Sequence, residues 1–413
     1  LISQRPAALS RENIFPLTVA FLTLALNYGT RSSFGIFLKP FEVEFGVSRG
    51  AISSILSITM LTYATLAFFT GYLVDRFGAK IVLLMGAGLA AFSCMISGLA
   101  GSFIQVTLSY GLIFGAATCF LSQIPVLSLL VKLPSGGNSL SVGLVGSGPG
   151  IGSLFLAPSI GAVISYAGWR SAMQVITWLF VGYLFLALLL LRKNGYGNIP
   201  QEQKGKASLG RVFFKGRNLP LLFSSFLLMA TAIYGVLSQE AAYAIDRGMT
   251  LTQAGWALGL IPGIGVIASP LLGWLCDQVH SQKRLGSLIL AIAVAGIFFI
   301  FVAKSWLVLA LGSIVVGTAY ASYAPIYSSV TRSLFGPDFF GRAWGFMAMG
   351  GSIGAALGSW LGGYLYDLQG NYHLVWLMMA ISFLAASTTL FLVDTGNPDR
   401  PYAVCLENET PKT

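Results

Sequence analysis

Apolar runs of about 20 residues follow one another along nearly the whole chain, and each is long enough to cross a ~30 Å hydrocarbon layer as a helix. They lie near 14–38, 51–74, 81–100, 103–131, 139–166, 170–191, 219–245, 252–276, 285–303, 305–331, 341–366 and 372–394. Charged residues make up only 9% of the 413, against about 25% in an ordinary soluble protein. Apolar surface on this scale needs the bilayer as part of its solvent. The 49 glycines suit closely packed membrane helices, where small residues let backbones approach. The first apolar run is as long as a span, so no cleavable signal peptide is expected.

One long polar interruption, Arg192 to Asn218, divides the runs six and six. The expected organisation is a first six-helix bundle over 1–191, a cytoplasmic linker over 192–218, a second bundle over 219–395 and a cytoplasmic tail over 396–413. Orientation follows from Lys and Arg. With the N-terminus inside, eighteen of the 24 basic residues fall on the inner side, seven of them in the linker, and five fall outside: Lys39, Arg49, Arg170, Arg247 and Lys304. Both termini are therefore expected in the cytoplasm. The net charge of +10 is a topology signal and calls for no nucleic-acid partner.

The two halves repeat. "GYLVDRFGAK" at Gly71 answers "GWLCDQVHSQKR" at Gly273, and Asp75 matches Asp277. Gly46 falls on Gly248, and Gly143, Gly148 and Gly152 fall on Gly345, Gly350 and Gly354, all at the same offset of 202 residues. Parallel repeats of this kind place a solute site between two halves. The expected fold is an all-α membrane protein with twelve transmembrane helices in two pseudo-symmetric six-helix bundles.

With these motifs the sequence resembles the major facilitator superfamily, whose loop 2–3 signature is similar to "GYLVDRFGAK". Within it, Arg31, the run "SFGIFLKPFEVEFGVSR" and "GWR" at Gly168 to Arg170 resemble the monocarboxylate-transporter family and its bacterial relatives. The resemblance implies a secondary transporter in the bacterial cytoplasmic (inner) membrane. That family has an Asp/Arg pair in span eight that holds a substrate carboxylate. Span eight here has no charge before Asp277.

Arg31 is the residue that most needs an explanation, since an arginine deep in a spanning helix costs from about 2.5 to more than 10 kcal/mol. Asn27, Tyr28 and Gly35 share its helix face, which suggests a polar stripe with a gap for a ligand. The expected role is anion binding or coupling in the cavity; the structural alternatives are snorkelling to the surface or a pair with Glu240. Glu240, with Gln239 beside it, is a candidate for proton coupling or an outer gate, or a solvated residue at a helix end. Tyr320, Tyr323 and Tyr327 form a hydroxyl-bearing stripe at i, i+3 and i+7, and Gln123 stands in an apolar helix just before Pro125. These can line a site for an organic anion or serve as packing. Asp75, Arg76, Asp277, Arg284 and Arg342 are candidates for an inner gate, which is how the resemblance implies the loop signatures work. Arg342 has no basic counterpart in the first half, where Leu140 takes its place.

No metal cluster is expected from Cys94, Cys119, Cys276, Cys405, His280 and His373, whose spacing fits none. The glycines of "GSGPGIG" (Gly146 to Gly152) lack the strand before and the Lys-Ser/Thr after that a phosphate loop needs. No cofactor and no enzymatic chemistry are expected. The expected function is secondary active transport of a carboxylate-bearing or other anionic organic solute, with the proton as coupling ion, in a monomer within the lipid bilayer. A missing span-eight charge pair also suits movement of larger amphipathic compounds, such as carboxylate siderophores or drugs. A solute-sensing receptor is the alternative of another class; it would want a larger cytoplasmic partner region.

Overall fold

A computed structural model describes residues 11–131, 144–191, 217–279 and 281–394, apart from the side chains of 11–13, 68, 75, 131 and 336–342. The first half holds α1 (Arg11–Ser32), α2 (Phe34–Phe45), α3 (Arg49–Phe77), α4 (Ala79–Leu99), α5 (Phe103–Val106), α6 (Gly115–Phe120), α7 (Gln123–Val131) and α8 (Gly148–Leu190). The second holds α9 (Asn218–Asp246), α10 (Leu251–Gly263), α11 (Gly265–Gln278), α12 (Gln282–Val302), α13 (Trp306–Gln369) and α14 (His373–Phe391). Among the described residues there is no strand. The linker beyond Arg217 and Asn218, the tail from 395 onward, Cys405 and His280 lie outside the described residues.

Among the described residues, twelve crossings emerge once the long helices are divided. α8 has 43 residues, about 65 Å at 1.5 Å per residue, which is twice the hydrocarbon thickness. It turns at Gly168, whose φ of 79° is open to glycine at little cost. α13, at 64 residues, likewise holds two crossings. The first crossing is longer than the expected 14–38: α1 breaks at Ser33 and continues as α2 to Phe45. Span eight is also two helices, divided at Ile264.

Span four is the most irregular. A π-helical stretch, Thr107–Phe114, links α5 to α6, and the helix is interrupted at Leu121 and Ser122. Pro125 causes the interruption, since it has no N–H to give the carbonyl of Leu121. Asn27 of α1 takes over that task. Its Nδ2 donates to the Leu121 carbonyl at 3.0 Å and to the Thr118 carbonyl at 3.2 Å.

The repeat extends to atomic contacts. A Cβ on Gly152 would lie 2.0 Å from the Ala25 carbonyl oxygen, and one on Gly354 would lie 2.2 Å from that of Leu227, the matching residue of the second half. Ser48 and Thr250, also matching, each cap a helix by accepting from a backbone N–H three residues on. Gly168 and Gly370 match in sequence and share a positive φ. Across the interface between halves, α3 packs along α13 and α8 along α10.

Candidate functional site: a cationic aromatic cavity between the halves

A cavity of about 120 Å³ lies between the two halves. α1 contributes Tyr28 and Arg31, one turn apart, and α3 contributes Met60 and Tyr63 at the same spacing. From the second half, α9 presents Phe226, Met229, Ile233 and Tyr234, and α13 presents Tyr320 and Tyr323 from its first crossing. The second crossing of α13 gives a wall of small residues, Ala348, Gly351, Ser352 and Ala355. Each set recurs at three or four residues, the period of a single helix face.

Arg31 is 8% exposed. Its guanidinium carbon lies 4.3 Å from the centroid of the Tyr28 ring and 5.7 Å from that of Tyr234. Among the described residues no carboxylate pairs with it. Ring faces offset part of the cost of burying the cation. Contact with a ring face does not itself use the N–H donors of the guanidinium.

Of the residues singled out in the sequence, Tyr28, Arg31, Tyr320 and Tyr323 meet at this cavity. The others stand apart from it. Asn27 is buried within the first half and occupied with the span-four carbonyls. Gln123 is exposed at the start of α7, just past the helix interruption. Tyr327 is buried one turn beyond Tyr323 and shares a 2.7 Å hydrogen bond with Ser225. The gap expected beside Gly35 is absent: a Cβ there would lie 2.6 Å from the Leu237 carbonyl oxygen, because α2 and α9 touch at that point.

Glu240 is neither solvated nor paired with Arg31. It is fully buried in the second half, where its Oε1 accepts from Ser313 at 2.5 Å and its Oε2 has no hydrogen-bond partner among the described residues. Gln239 points the other way and donates across the interface to Ser53 of α3 at 2.9 Å. Of the inner-gate candidates, Arg76, Asp277 and Arg284 are exposed. The side chains of Asp75 and Arg342 lie outside the described residues.

A cluster that the sequence reading counted only as topology charge joins the halves at one face. Asp246, at the end of α9, accepts from Lys39 of α2 at 2.8 Å and from Arg49 of α3 at 2.8 Å. Tyr372 donates to the same carboxylate at 2.9 Å and accepts from Arg49. Burial pushes the Tyr372 phenol well above its usual range, so it keeps its proton. Asp367 accepts from the backbone N–H groups of Arg49 and Gly50 at 3.0 and 2.7 Å. Arg49 is 1% exposed and lies 3.7 Å over the ring of Tyr366. Lys39 and Glu42, at i, i+3 in the sequence, pair at 3.0 Å, a spacing that the sequence reading did not use.

Two pseudo-symmetric helix bundles with a buried, charge-bearing cavity between them define a membrane transporter of solutes. The Major Facilitator Superfamily model matches residues 20–322 and 248–406, and the chain belongs to that superfamily. It is similar to human monocarboxylate transporter 11, at 26% identity over 89% of this chain and 80% of that protein. It is also similar to bovine monocarboxylate transporter 13, at 26% identity over 95% and 90% of the two chains. In fold it is similar to a bacterial homologue of the human lysosomal transporter Spinster, solved in an inward-facing and occupied conformation. The TM-score is 0.71 at 16% identity, covering 93% of this chain and 97% of that one.

Proposed function

We propose that the protein moves an organic anion across the bilayer by alternating access, and that Arg31 holds the anionic group. The carrying observation is a buried cation without a carboxylate partner among the described residues, facing a cavity that both halves line. The tyrosines around it supply donors, and Met60, Met229 and Ile233 supply an apolar wall for the body of the solute. The kinship with monocarboxylate transporters supports a small organic anion as cargo. The basic-residue bias supports a cytoplasmic location for both termini, which makes the Asp246 cluster an extracytoplasmic latch.

Proton coupling is assigned to Glu240. A buried carboxylate with no cation beside it is costly, and a proton removes that cost. Its setting against Ser313 makes it a proton carrier separate from the anion site rather than a partner that alternates with Arg31.

Uptake into liposomes tests both assignments. Arg31→Ala should abolish anion transport in protein of normal yield and monodispersity, and Arg31→Lys should retain part, since the point charge survives without the planar fork. Full activity in Arg31→Ala would remove the anion-site role. Glu240→Gln should lose drive by a pH gradient while exchange of labelled solute persists; an unchanged gradient response would place the coupling elsewhere.

A second reading, transport of bulkier amphipathic compounds, is supported by the aromatic lining and by the small-residue wall of α13.

A further inference from the structure

One ring in the cavity wall has its seat only because a neighbouring residue lacks a side chain. We propose that Gly351 and Phe226 act as a pair to set the largest solute body the cavity admits. The inference rests on reading that cavity as the solute site.

A Cβ placed on Gly351 would lie 2.5 Å from Cε1 and 3.1 Å from Cδ1 of Phe226. Carbon atoms pack best at about 3.5–4.0 Å, so one of the two must move. Gly350 also meets a ring, that of Phe223 at 2.6 Å, but neither of those residues lines the cavity; the glycines further along α13 differ in what they meet. At Gly354 and Gly358 the obstacles are the backbone carbonyl oxygens of Leu227 and Thr231, at 2.2 and 2.0 Å, which yield only if the helices separate. At Gly351 the obstacle is the outer edge of a ring that turns about two side-chain torsions.

The direction in which that ring can move is limited. Tyr323 lies 5.2 Å from it between centroids, Tyr327 lies 4.9 Å away edge-on, and Trp344 lies 6.2 Å away. Tyr327 is held in turn by its hydrogen bond to Ser225. Packing of this density has no room to receive a displaced ring. The unfilled side is the cavity, which both Phe226 and Gly351 line. A methyl group at 351 therefore drives the ring into a space of about 120 Å³. The loss falls on the body of the solute and leaves Arg31 in place. Replacing Phe226 by a smaller side chain does the reverse.

The test is uptake by the full-length protein in liposomes, using straight-chain monocarboxylates from acetate to octanoate together with phenylacetate. Gly351→Ala should lower the ratio of long-acid to short-acid transport by about tenfold or more, since a single methylene commonly carries 10–200-fold discrimination. Phe226→Leu should raise the ratio, and Gly351→Ala/Phe226→Leu should return it toward wild type. An unchanged ratio in folded Gly351→Ala overturns the pairing. Should Gly351→Ala not fold, Phe226→Leu decides the matter by the same ratio. Should wild type move none of these acids, a simple monocarboxylate cargo is ruled out, and the pair is judged from the structure of Gly351→Ala. A ring turned into the cavity upholds it; an unmoved ring with a displaced α13 overturns it.

Discussion

Asn27 and Arg31 are one turn apart on α1, yet they face different tasks. Asn27 supplies the donor that Pro125 denies to span four, and Arg31 faces the cavity. Asn27→Ala leaves two buried carbonyls without that donor, a loss of about 1–3 kcal/mol. The expected outcome is a lower melting temperature and yield, with transport retained in the folded fraction. A variant that melts like wild type and fails to transport would make Asn27 a solute contact instead. Arg31 and the tyrosines Tyr28, Tyr320 and Tyr323 were legible in the sequence because charge and hydroxyl are scarce inside apolar helices. Met60, Tyr63, Phe226, Met229 and Tyr234 were not. In a helix that is apolar all round, the cavity face and the lipid face carry the same residue types. Scarcity also misled: Gln123 is polar in an apolar run, but the helix interruption before it turns it to an exposed position.

At the level of helices, the number and pairing of crossings were readable, because length and repeat both survive in the sequence. The breaks were not. Ser33 carries no strong punctuation of its own; Pro262-Gly263 beside Ile264 and Pro125 in span four do, but the apolar run continues past them, and the asparagine that satisfies the span-four carbonyls is almost a hundred residues away. The repeated glycine contacts lead to a prediction at this scale. Gly152→Ala and Gly354→Ala place a methyl against a carbonyl oxygen and should each lose several kcal/mol or fail to fold, as overpacking costs about 1–3 kcal/mol even where side chains can adjust. Gly71→Ala and Gly273→Ala, whose Cβ positions meet nothing within 4 Å, should be near neutral or stabilising. Thermal melting of the four purified variants distinguishes the two classes.

Across the whole molecule, the proposed latch and the inner-gate candidates should bias the transporter in opposite directions. Asp246→Asn withdraws a charge shared by Lys39 and Arg49 and leaves Arg49 buried with Glu42 as its one ion-pair acid among the described residues. It should destabilise the state closed on that face by on the order of 1–3 kcal/mol. Distances between spin labels across that face should then show a larger open fraction; an unchanged distribution would make the latch incidental. On the opposite face Asp75→Asn should favour opening more than Asp277→Asn does. Asp75 is expected to meet both the helix dipole and Arg342 there, while Asp277 is expected to meet a dipole alone. Equal shifts would refute that asymmetry.

The latch also breaks the repeat that frames it. Position 49 holds arginine while its counterpart 251 holds leucine, and the aspartate at 367 answers a serine at 165. The cations thus belong to one half and the carboxylates that receive them to the other, although Asp246 answers an acid, Glu44, which pairs instead with Arg170 of its own half. Each half carries an address that its twin lacks, so the polypeptide distinguishes the joining of unlike halves from the joining of two like ones, even though the backbones are built on one plan. Correct assembly is in this sense encoded by residues that do not line the cavity between the halves. A lineage could then exchange its cavity residues for a new solute without unlearning how the two halves recognise each other.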